Sequence, residues 1–385
     1  MRLARILPFA CALPLLAAPD WQDSVHIASS STHTLVIAPD GTVACQGSNR
    51  YRVCGADPGT EFVEKLARVP GLPKGRAVAV PDAWISMVLG EDGRVYVWGR
   101  NDFGLLGGTD RGPTYEQPKP TPIPALQGVV GIAAFVHGGA ALLQDGTVWM
   151  WGEDREGLLA TGTLTLSGQS GKPHYTPRRV EGLDGVVQIV GGYKHMLALK
   201  SDGTVWTWGA NKYGELGLGD QQARARPARI QPLTGITRIY ASGSTAGARQ
   251  ANGAWLVWGP SPAPTIVEDR GPLVLNPAPL PGLLREATDL ADGAAAFRDG
   301  TVRTWGGNSF GSLGTGGGVD AYSSRGVLVR TLSSVVRVWT GGSRGFALKS
   351  DGTLYMWGPS GSESAGIYRV PKVIATFPMA PSPKQ

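Results

Sequence analysis

The sequence predicts an all-β fold, a seven-bladed β-propeller built from seven repeats of about 50 residues. Three observations support this: a tight-turn dipeptide that recurs seven times, a Trp-Gly pair at a fixed distance after it, and an alternating apolar segment before it. The turn dipeptides are Asp40-Gly41, Asp92-Gly93, Asp145-Gly146, Asp202-Gly203, Asn252-Gly253, Asp299-Gly300 and Asp351-Gly352.

The Trp-Gly pair stands six residues after the turn Asp or Asn in six of the seven repeats, and the first repeat has Gln46-Gly47 instead. A Trp-Gly pair at a chosen position is rare by composition, so the fixed offset marks a repeat and not chance. Because a buried indole removes about 150–250 Å² from water, we expect these tryptophans to form the structural core of the repeats. They are Trp98, Trp151, Trp208, Trp258, Trp305 and Trp357.

Each repeat supplies about four short strands. Two come from the segment before the turn, which alternates apolar residues around a glycine-rich break, as in VVQIVGGYKHMLALKSDG at 186–203. The third follows the turn, and a Pro-flanked segment such as RPARIQPL gives the fourth. One such sheet cannot bury both of its apolar faces alone, whereas seven packed face to face around an axis can. The propeller is expected over residues 24–375, followed by a C-terminal tail at 376–385.

The N-terminus predicts a signal peptide over residues 1–18. A basic head with Arg2 and Arg5 precedes an apolar run that is too short to span a bilayer, and small residues follow it. Cleavage near Ala17 is expected, while lipidation of Cys11 stays open as an alternative. We therefore expect an exported protein, periplasmic or secreted. No second apolar stretch is long enough for a membrane span.

The net charge and the cysteines of the chain indicate which partner class is excluded and which covalent link is expected. The net charge of +6 on 385 residues is small, and the arginine clusters lie in loop-like sequence, so no nucleic-acid partner is expected. We expect a monomer. In an oxidising compartment the two cysteines of the mature chain, Cys45 and Cys54, are expected to form a disulfide that compensates for the missing Trp of the first repeat.

The pattern DGxxxxWG followed by NxxGxLGxG resembles the repeat of the regulator of chromosome condensation family. The fourth repeat, DGTVWTWGANKYGELGLGD, matches it best, and WGRNDFGLLGG and WGGNSFGSLGTGG match well. The resemblance covers residues 24–375 and implies a seven-bladed propeller. Repeats one, three, five and seven depart from the pattern in their loops. The family's best-known member is a nuclear guanine-nucleotide exchange factor that binds chromatin, but the signal peptide argues against that role here.

No catalytic, metal or cofactor site is expected. The segment GGSRG around Ser343 falls on a glycine bend of the repeat, and a nucleophile elbow requires a strand-to-helix turn. The histidines lack paired metal-ligand spacing, and the glycine-rich tracts belong to the repeat's own loops. The carboxylates Glu153 and Asp154 could approach each other in a loop.

The expected function is that of a non-enzymatic interaction module that binds a protein partner through its rim loops. The candidate loops are 109–120, 161–177 and 259–282, which are longer than packing requires. Their candidate partner-binding residues are Tyr115, Glu116, His174, Tyr175, Asp269 and Arg270. Two alternatives stay open: a propeller enzyme that acts on extracellular or cell-wall glycans, and an exchange-factor-like protein if the N-terminus is not a signal.

Overall fold

The computed structural model describes residues 25–108, 115–165, 171, 173–260, 273–280, 282–318, 322–360 and 366–378. These residues form seven four-stranded antiparallel sheets, and each sheet uses four strands that are consecutive in sequence. The predicted all-β fold and its seven blades are confirmed. The two short 3-10 turns at Arg50–Arg52 and Gly282–Glu286 are the only helical elements among the described residues.

The strands are numbered in chain order, four to a blade. Blades one to three contain β1 to β12: His26–Ser29, His33–Ile37, Val43–Ser48, Phe62–Arg68; Gly75–Asp82, Ile85–Gly90, Val95–Arg100, Glu116–Pro122; Val129–Phe135, Gly138–Leu143, Val148–Glu153, Pro173–Arg179. Blades four and five contain β13 to β20: Val186–Gly191, His195–Lys200, Val205–Gly209, Arg224–Arg229; Ile236–Ser242, Thr245–Gln250, Trp255–Pro260, Leu273–Pro279. Blades six and seven contain β21 to β28: Ala287–Ala291, Ala294–Phe297, Val302–Gly307, Tyr322–Leu328; Val335–Gly341, Arg344–Lys349, Thr353–Pro359, Ile367–Thr376.

The Asp-Gly dipeptides are the hairpins between the second and third strands. In blade four, Asp202 Oδ1 accepts hydrogen bonds from the Thr204 backbone N–H at 3.0 Å and from its hydroxyl at 2.7 Å. Gly203 adopts a φ of 77°, which favours glycine. The Asp or Asn side chain accepts from the N–H two residues later in all seven hairpins. The recurring dipeptide therefore reflects one turn geometry used seven times.

The first strand of each blade lies at the centre of the ring, and the fourth lies at the periphery. The innermost strands of neighbouring blades lie against one another at six of the seven seams, all except that between blades five and six. Several outermost strands contain proline, as in EQPKPTP of β8 and RARPAR of β16. Proline and charged residues are tolerated on an edge strand and discourage pairing with another chain.

The strand order gives the ring two different rims. The loop rim carries the turns between first and second strands and the connections between third and fourth strands. The hairpin rim carries the Asp-Gly hairpins and the connections from one blade to the next. All three predicted loops, 109–120, 161–177 and 259–282, begin on the loop rim.

Seven apolar clusters fill the seven seams, and each combines buried side chains from two neighbouring blades. In the seam between blades three and four, Trp208 is fully buried among Leu158, Met196 and Ala198. Its indole N–H donates to the Leu158 carbonyl of the preceding blade at 2.8 Å. The repeated Trp thus joins each blade to the one before it.

The same contact recurs in five seams at 2.8–2.9 Å. The donor and acceptor pairs are Trp98 and Val53, Trp151 and Leu105, Trp208 and Leu158, Trp258 and Glu215, and Trp357 and Ser312. These five tryptophans are fully buried, as the sequence predicted. Each acceptor is the residue that precedes the Leu of the NxxGxL loop, or the Cys in blade one.

The two repeats without this contact follow blades with divergent loops. Trp305 was predicted to belong to the core, but it is only partly buried and packs at the edge of its seam cluster. The loop that precedes it in the ring belongs to repeat five, which lacks the NxxGxL sequence. Gln46 replaces the Trp in blade one, and the loop that precedes it in the ring is the shortened loop of blade seven. The Gln46 side chain donates to the Glu64 carbonyl of its own blade at 2.9 Å. The Trp contact and the NxxGxL loop of the preceding blade are therefore lost together.

The ring closes by side-chain packing between blades seven and one, without a shared sheet. The Arg344 guanidinium donates to the Ser30 and Ser31 carbonyls of blade one and to the Pro359 carbonyl of its own blade. Burial lowers the pKa of Arg344 to about 10. The expected C-terminal strand is present as β28, and the Phe377 N–H beyond it donates to the Gly352 carbonyl at 2.9 Å.

Candidate functional site

The connections between third and fourth strands build most of the loop rim, and the loop Asn gives them their shape. In blade four, Asn211 Oδ1 accepts from the Leu216 N–H at 2.9 Å, and its Nδ2 donates to the Asp220 carbonyl at 2.9 Å. Asn49, Asn101, Asp154 and Asn308 accept from the equivalent N–H five residues later. One side chain therefore holds both ends of the loop, which supports a rigid rim.

The loop Gly lies against the outermost strand of the next blade. A Cβ on Gly104 would lie 3.2 Å from the Tyr175 ring, and one on Gly214 would lie 2.7 Å from the Leu275 side chain. Both glycines also have positive φ, at 76° and 79°. Each loop is thus fixed by its own Asn and by its neighbour, so side chains on the loop are presented at defined positions.

Several large apolar side chains are exposed on this rim. Among them, Trp84, Tyr193, Tyr213 and Phe310 have exposed fractions between 36% and 56%. Trp84 and Tyr193 lie in turns between first and second strands, and Tyr213 and Phe310 lie in the Asn loops. Exposed aromatic side chains that share one face are typical of interaction surfaces.

These four residues lie outside the long loops that the sequence favoured as binding sites. A signal for two of them was nevertheless present, since the second residue after the loop Asn is aromatic in four repeats: Tyr51, Phe103, Tyr213 and Phe310. Of these side chains, Phe103 packs against the seam between blades two and three, whereas Tyr213 and Phe310 are exposed.

Many charged side chains of the rim pair laterally with one another. Arg100 Nε lies 2.8 Å from Asp102 Oδ1, and Lys194 Nζ lies 3.1 Å from Glu156 Oε1. In blade three, Glu153 Oε2 lies 2.9 Å from His137 Nδ1 and 2.7 Å from Arg155 Nε. The His137 ring stacks on Phe103 with 3.5 Å between centroids. The Lys194–Glu156 and Phe103–His137 contacts connect neighbouring blades, and the others lie within one blade.

The predicted binding residues lie at the outer border of the loop rim. Glu116 is the exposed first residue of β8, and Tyr115 beside it is partly buried, with its hydroxyl donating to Gln117 Oε1 at 3.0 Å. His174 lies in β12 opposite Gly152, and Tyr175 follows it against the loop of blade two. Asp269 and Arg270 lie outside the described residues.

Parts of all three predicted loops are strand, and in the third, 259–282, strand β20 occupies Leu273–Pro279. Strand β8 begins at Glu116 and β12 begins at Pro173, so residues 116–120 and 173–177 belong to blades. The prolines of these segments suggested loops, but an outermost strand needs no N–H on its free edge.

The disulfide predicted between Cys45 and Cys54 is present in the structure, with their Cα atoms 5.2 Å apart. Both residues are buried in the seam between blades one and two. Cys54 directly follows Val53, whose carbonyl accepts the Trp98 indole N–H. The disulfide therefore braces the loop that supports the next blade.

The carboxylates of the rim are engaged in structural contacts. Glu153 and Asp154 are both buried. Asp154 accepts hydrogen bonds from the Leu159 N–H and the Thr161 hydroxyl, whereas Glu153 pairs with His137 and Arg155. Burial raises the pKa of Glu215, whose carboxylate accepts the Tyr213 N–H at 2.7 Å. The described residues contain no cluster of three or more His, Cys, Asp or Glu that could hold a metal ion.

Other polar candidates are part of the fold. Ser343 lies in the turn between β25 and β26 with a φ of 64°, and no helix follows it. His33 and His195 are buried, and burial lowers the pKa of His33 to about 3 and that of His195 to about 4. A cavity of about 380 Å³ lies on the hairpin rim beside Glu286, Arg298 and Asp299. Hydrogen bonds from Thr301 lower the pKa of Asp299, opposite to the shift that a general acid requires.

No helix in the described part of the chain is long and apolar enough to cross a membrane.

Comparison with protein families finds the regulator of chromosome condensation (RCC1) repeat at residues 92–140, 145–199 and 202–248, and a second model of the same repeat matches 186–215. These matches cover blades three and four, the second half of blade two and the first two strands of blade five.

Two curated relatives match longer stretches. The human E3 ubiquitin-protein ligase HERC2 is 31% identical over 243 residues, which are 60% of this chain and 5% of that protein. The ultraviolet-B receptor UVR8 of Arabidopsis thaliana is 29% identical over 290 residues, 71% of this chain and 62% of the receptor. The chain thus spans less than two thirds of either relative.

A solved structure shares the whole architecture. Prp20p of Saccharomyces cerevisiae, described with its binding to Gsp1p and histones, superposes with a TM-score of 0.69 over 87% of this chain and 86% of that one, at 22% identity. This likeness shows the fold.

Proposed function

Since this chain belongs to the regulator of chromosome condensation repeat family, we propose that it is an exported, non-enzymatic interaction module whose loop rim binds a protein partner. The observation that carries the proposal is the exposure of Trp84, Tyr193, Tyr213 and Phe310 on one rim. Loops fixed by an Asn side chain and a neighbouring blade lose little conformational entropy on binding, which favours affinity.

The chemistry of the partner follows from the surface. Aromatic side chains and arginine contribute most to the energy of protein interfaces. Arg100 beside Trp84 and Lys194 beside Tyr193 are held in lateral ion pairs, so we expect the partner to meet these two rings with an apolar patch. The predicted residues Tyr115, Glu116, His174 and Tyr175 lie at the border of this surface and would form its polar periphery.

Export is supported by the sequence of residues 1–18 and by the disulfide, which is typical of oxidising compartments. A fusion of residues 1–24 to a reporter that is active only after export tests this part. A reporter that stays inactive would contradict export and favour the exchange-factor alternative.

The binding test uses affinity capture from the exported fraction of the native cells, followed by mass spectrometry. We expect the Tyr193→Ala, Tyr213→Ala double variant to lose the captured protein with little change in Tm. The matched control is Val130→Ala with Val187→Ala, two exposed residues of similar accessibility on the hairpin rim. Equal capture by both double variants would contradict a loop-rim site.

The glycan-hydrolase alternative predicts a different result. It requires two carboxylates that converge on a sugar-sized pocket, one of them with a raised pKa. The test measures the release of reducing sugar from cell-wall polymer. Release by the unchanged protein that is lost in the Glu215→Gln variant would favour that alternative over binding.

A further inference from the structure

The loop of blade one has a strained backbone. Arg52 has a φ of 63°, and Tyr51 before it has a φ of 57°. At the position of Arg52, the loops of blades two, three, four and six have Gly104, Gly157, Gly214 and Gly311, all with φ between 71° and 79°. A residue with a Cβ loses about 1–2 kcal/mol in this conformation. Blade one therefore keeps a strained arginine where four other blades have an unstrained glycine.

The backbone of this loop is held without help from the arginine side chain. Asn49 Oδ1 accepts the Cys54 N–H at 3.2 Å, and Asn49 Nδ2 donates to the Thr60 carbonyl at 2.8 Å. The disulfide ties Cys54 to β3, and the 3-10 turn lies against β7 and β8 of the next blade. These contacts enforce the loop conformation and compensate for its strain.

The loop presents a cationic and aromatic surface, which we call the blade-one patch: Arg50, Tyr51, Arg52 and Trp84. The Arg50 guanidinium lies 5.1 Å from the Tyr51 ring centroid, and the Tyr51 and Trp84 rings meet edge to face with 5.9 Å between centroids. Arg100 lies over both rings and donates to the Tyr51 hydroxyl at 2.6 Å. Arg100 therefore fixes the two aromatic rings relative to each other.

The charge of the patch is only partly compensated. Arg100 pairs with Asp102 and lies opposite Glu116 in the sheet. Within the described ranges, neither Arg50 nor Arg52 forms an ion pair. Two guanidinium groups beside an exposed indole can bind carboxylates through paired N–H donors while the indole covers an apolar side chain.

We propose that the blade-one patch docks a carboxylate-bearing segment of the protein partner, with Arg50 and Arg52 on its carboxylates and Trp84 on a neighbouring apolar side chain. This inference rests on the proposed loop-rim function and assigns the anchor within it. The retained strain at Arg52 supports it, because a glycine would remove the strain and would also remove the charge.

The experiment uses two fluorescein-labelled peptides with the full-length exported protein: EYDLEYDL and its uncharged counterpart QYNLQYNL. We expect fluorescence anisotropy at low salt to show binding of the acidic peptide at least about fivefold tighter than of its counterpart, weakening as salt rises. The decisive variant is Arg52→Gly, which restores the residue of the other loops. It should raise Tm, because the strain is relieved, and weaken binding of the acidic peptide at least about fivefold.

The control variant is Arg178→Gln, which removes one exposed arginine of the outermost strand β12. If Arg52→Gly and Arg178→Gln weaken binding of the acidic peptide equally, the effect comes from net charge and the proposed anchor is wrong. Unchanged affinity in Arg52→Gly also overturns it, since the arginine would then be a tolerated substitution in the repeat. A native partner whose capture depends on Tyr193 and Tyr213 but not on Arg52 overturns this anchor and leaves the loop-rim function intact.

Discussion

Replacement of Trp208 by alanine tests the contact that joins neighbouring blades. The indole is fully buried, and its removal should leave a cavity that costs about 3–5 kcal/mol of unfolding free energy. The Leu158 carbonyl would also lose the indole donor now 2.8 Å away, which adds about 1 kcal/mol. We therefore expect a total loss of about 4–6 kcal/mol.

Trp305 provides an internal control, because it belongs to the same repeat position but is only partly buried. Trp305→Ala should cost about 1–3 kcal/mol, since less apolar area is exposed by the change. Trp208→Phe should fall between the two by keeping most of the ring and losing the hydrogen bond. Urea denaturation followed by far-ultraviolet circular dichroism gives all three values. Equal losses in Trp208→Ala and Trp305→Ala would refute the role assigned to the seam contact.

Four further changes test other parts of the fold. The folded pKa of His195, lowered by burial to about 4, lies below the unfolded value of 6.5, so about 3 kcal/mol of stability should be lost as pH falls from 6.5 towards 4. His195→Leu should flatten this part of the pH–stability curve, and an unchanged slope would contradict the assignment. Arg344→Leu should speed amide hydrogen exchange in β1 and β25 selectively, because the Ser carbonyls of blade one lose their donor; uniform exchange would argue against a local closure. Truncation at Gly366 removes β28 and should cause aggregation, whereas a truncated chain that melts normally would show that this strand is dispensable. Replacement of both Cys45 and Cys54 by serine should cost about 2–3 kcal/mol in chemical denaturation, and two free thiols in exported protein would remove the basis for this prediction.

The sequence was sufficient to predict the blades because their signals are local. The hairpin at Asp202 depends on its own side chain and on the next two residues, and the alternation of β14 and β15 is visible within a few positions. Seven copies of such local signals fix the number of blades. The packing of five tryptophans was also predictable, because an apolar side chain on a repeated strand must face a seam.

The candidate site was less predictable, because it depends on contacts between blades. The exposure of Trp305 follows from the loop of the blade before it, about 45 residues away in sequence, and no local signal carries that dependence. Tyr175 was assigned to a loop, but it lies in a strand and contacts Gly104 of another blade. The exposed rings of Tyr213 and Phe310 follow a pattern only when the repeats are aligned at the loop Asn.

Each blade of this ring consists of one uninterrupted stretch of sequence, with no strand exchanged between the first blade and the last. The matched sequence repeats, which begin at the Asp-Gly hairpin of one blade and end in the next blade, are therefore offset from the sheets by half a blade. The chain could be circularly permuted at any connection between blades without dividing a sheet, provided that residues 25 and 378 are joined by a linker. A repeat could likewise acquire its own loop sequence while its sheet stays intact, and the following blade would have to accommodate the change.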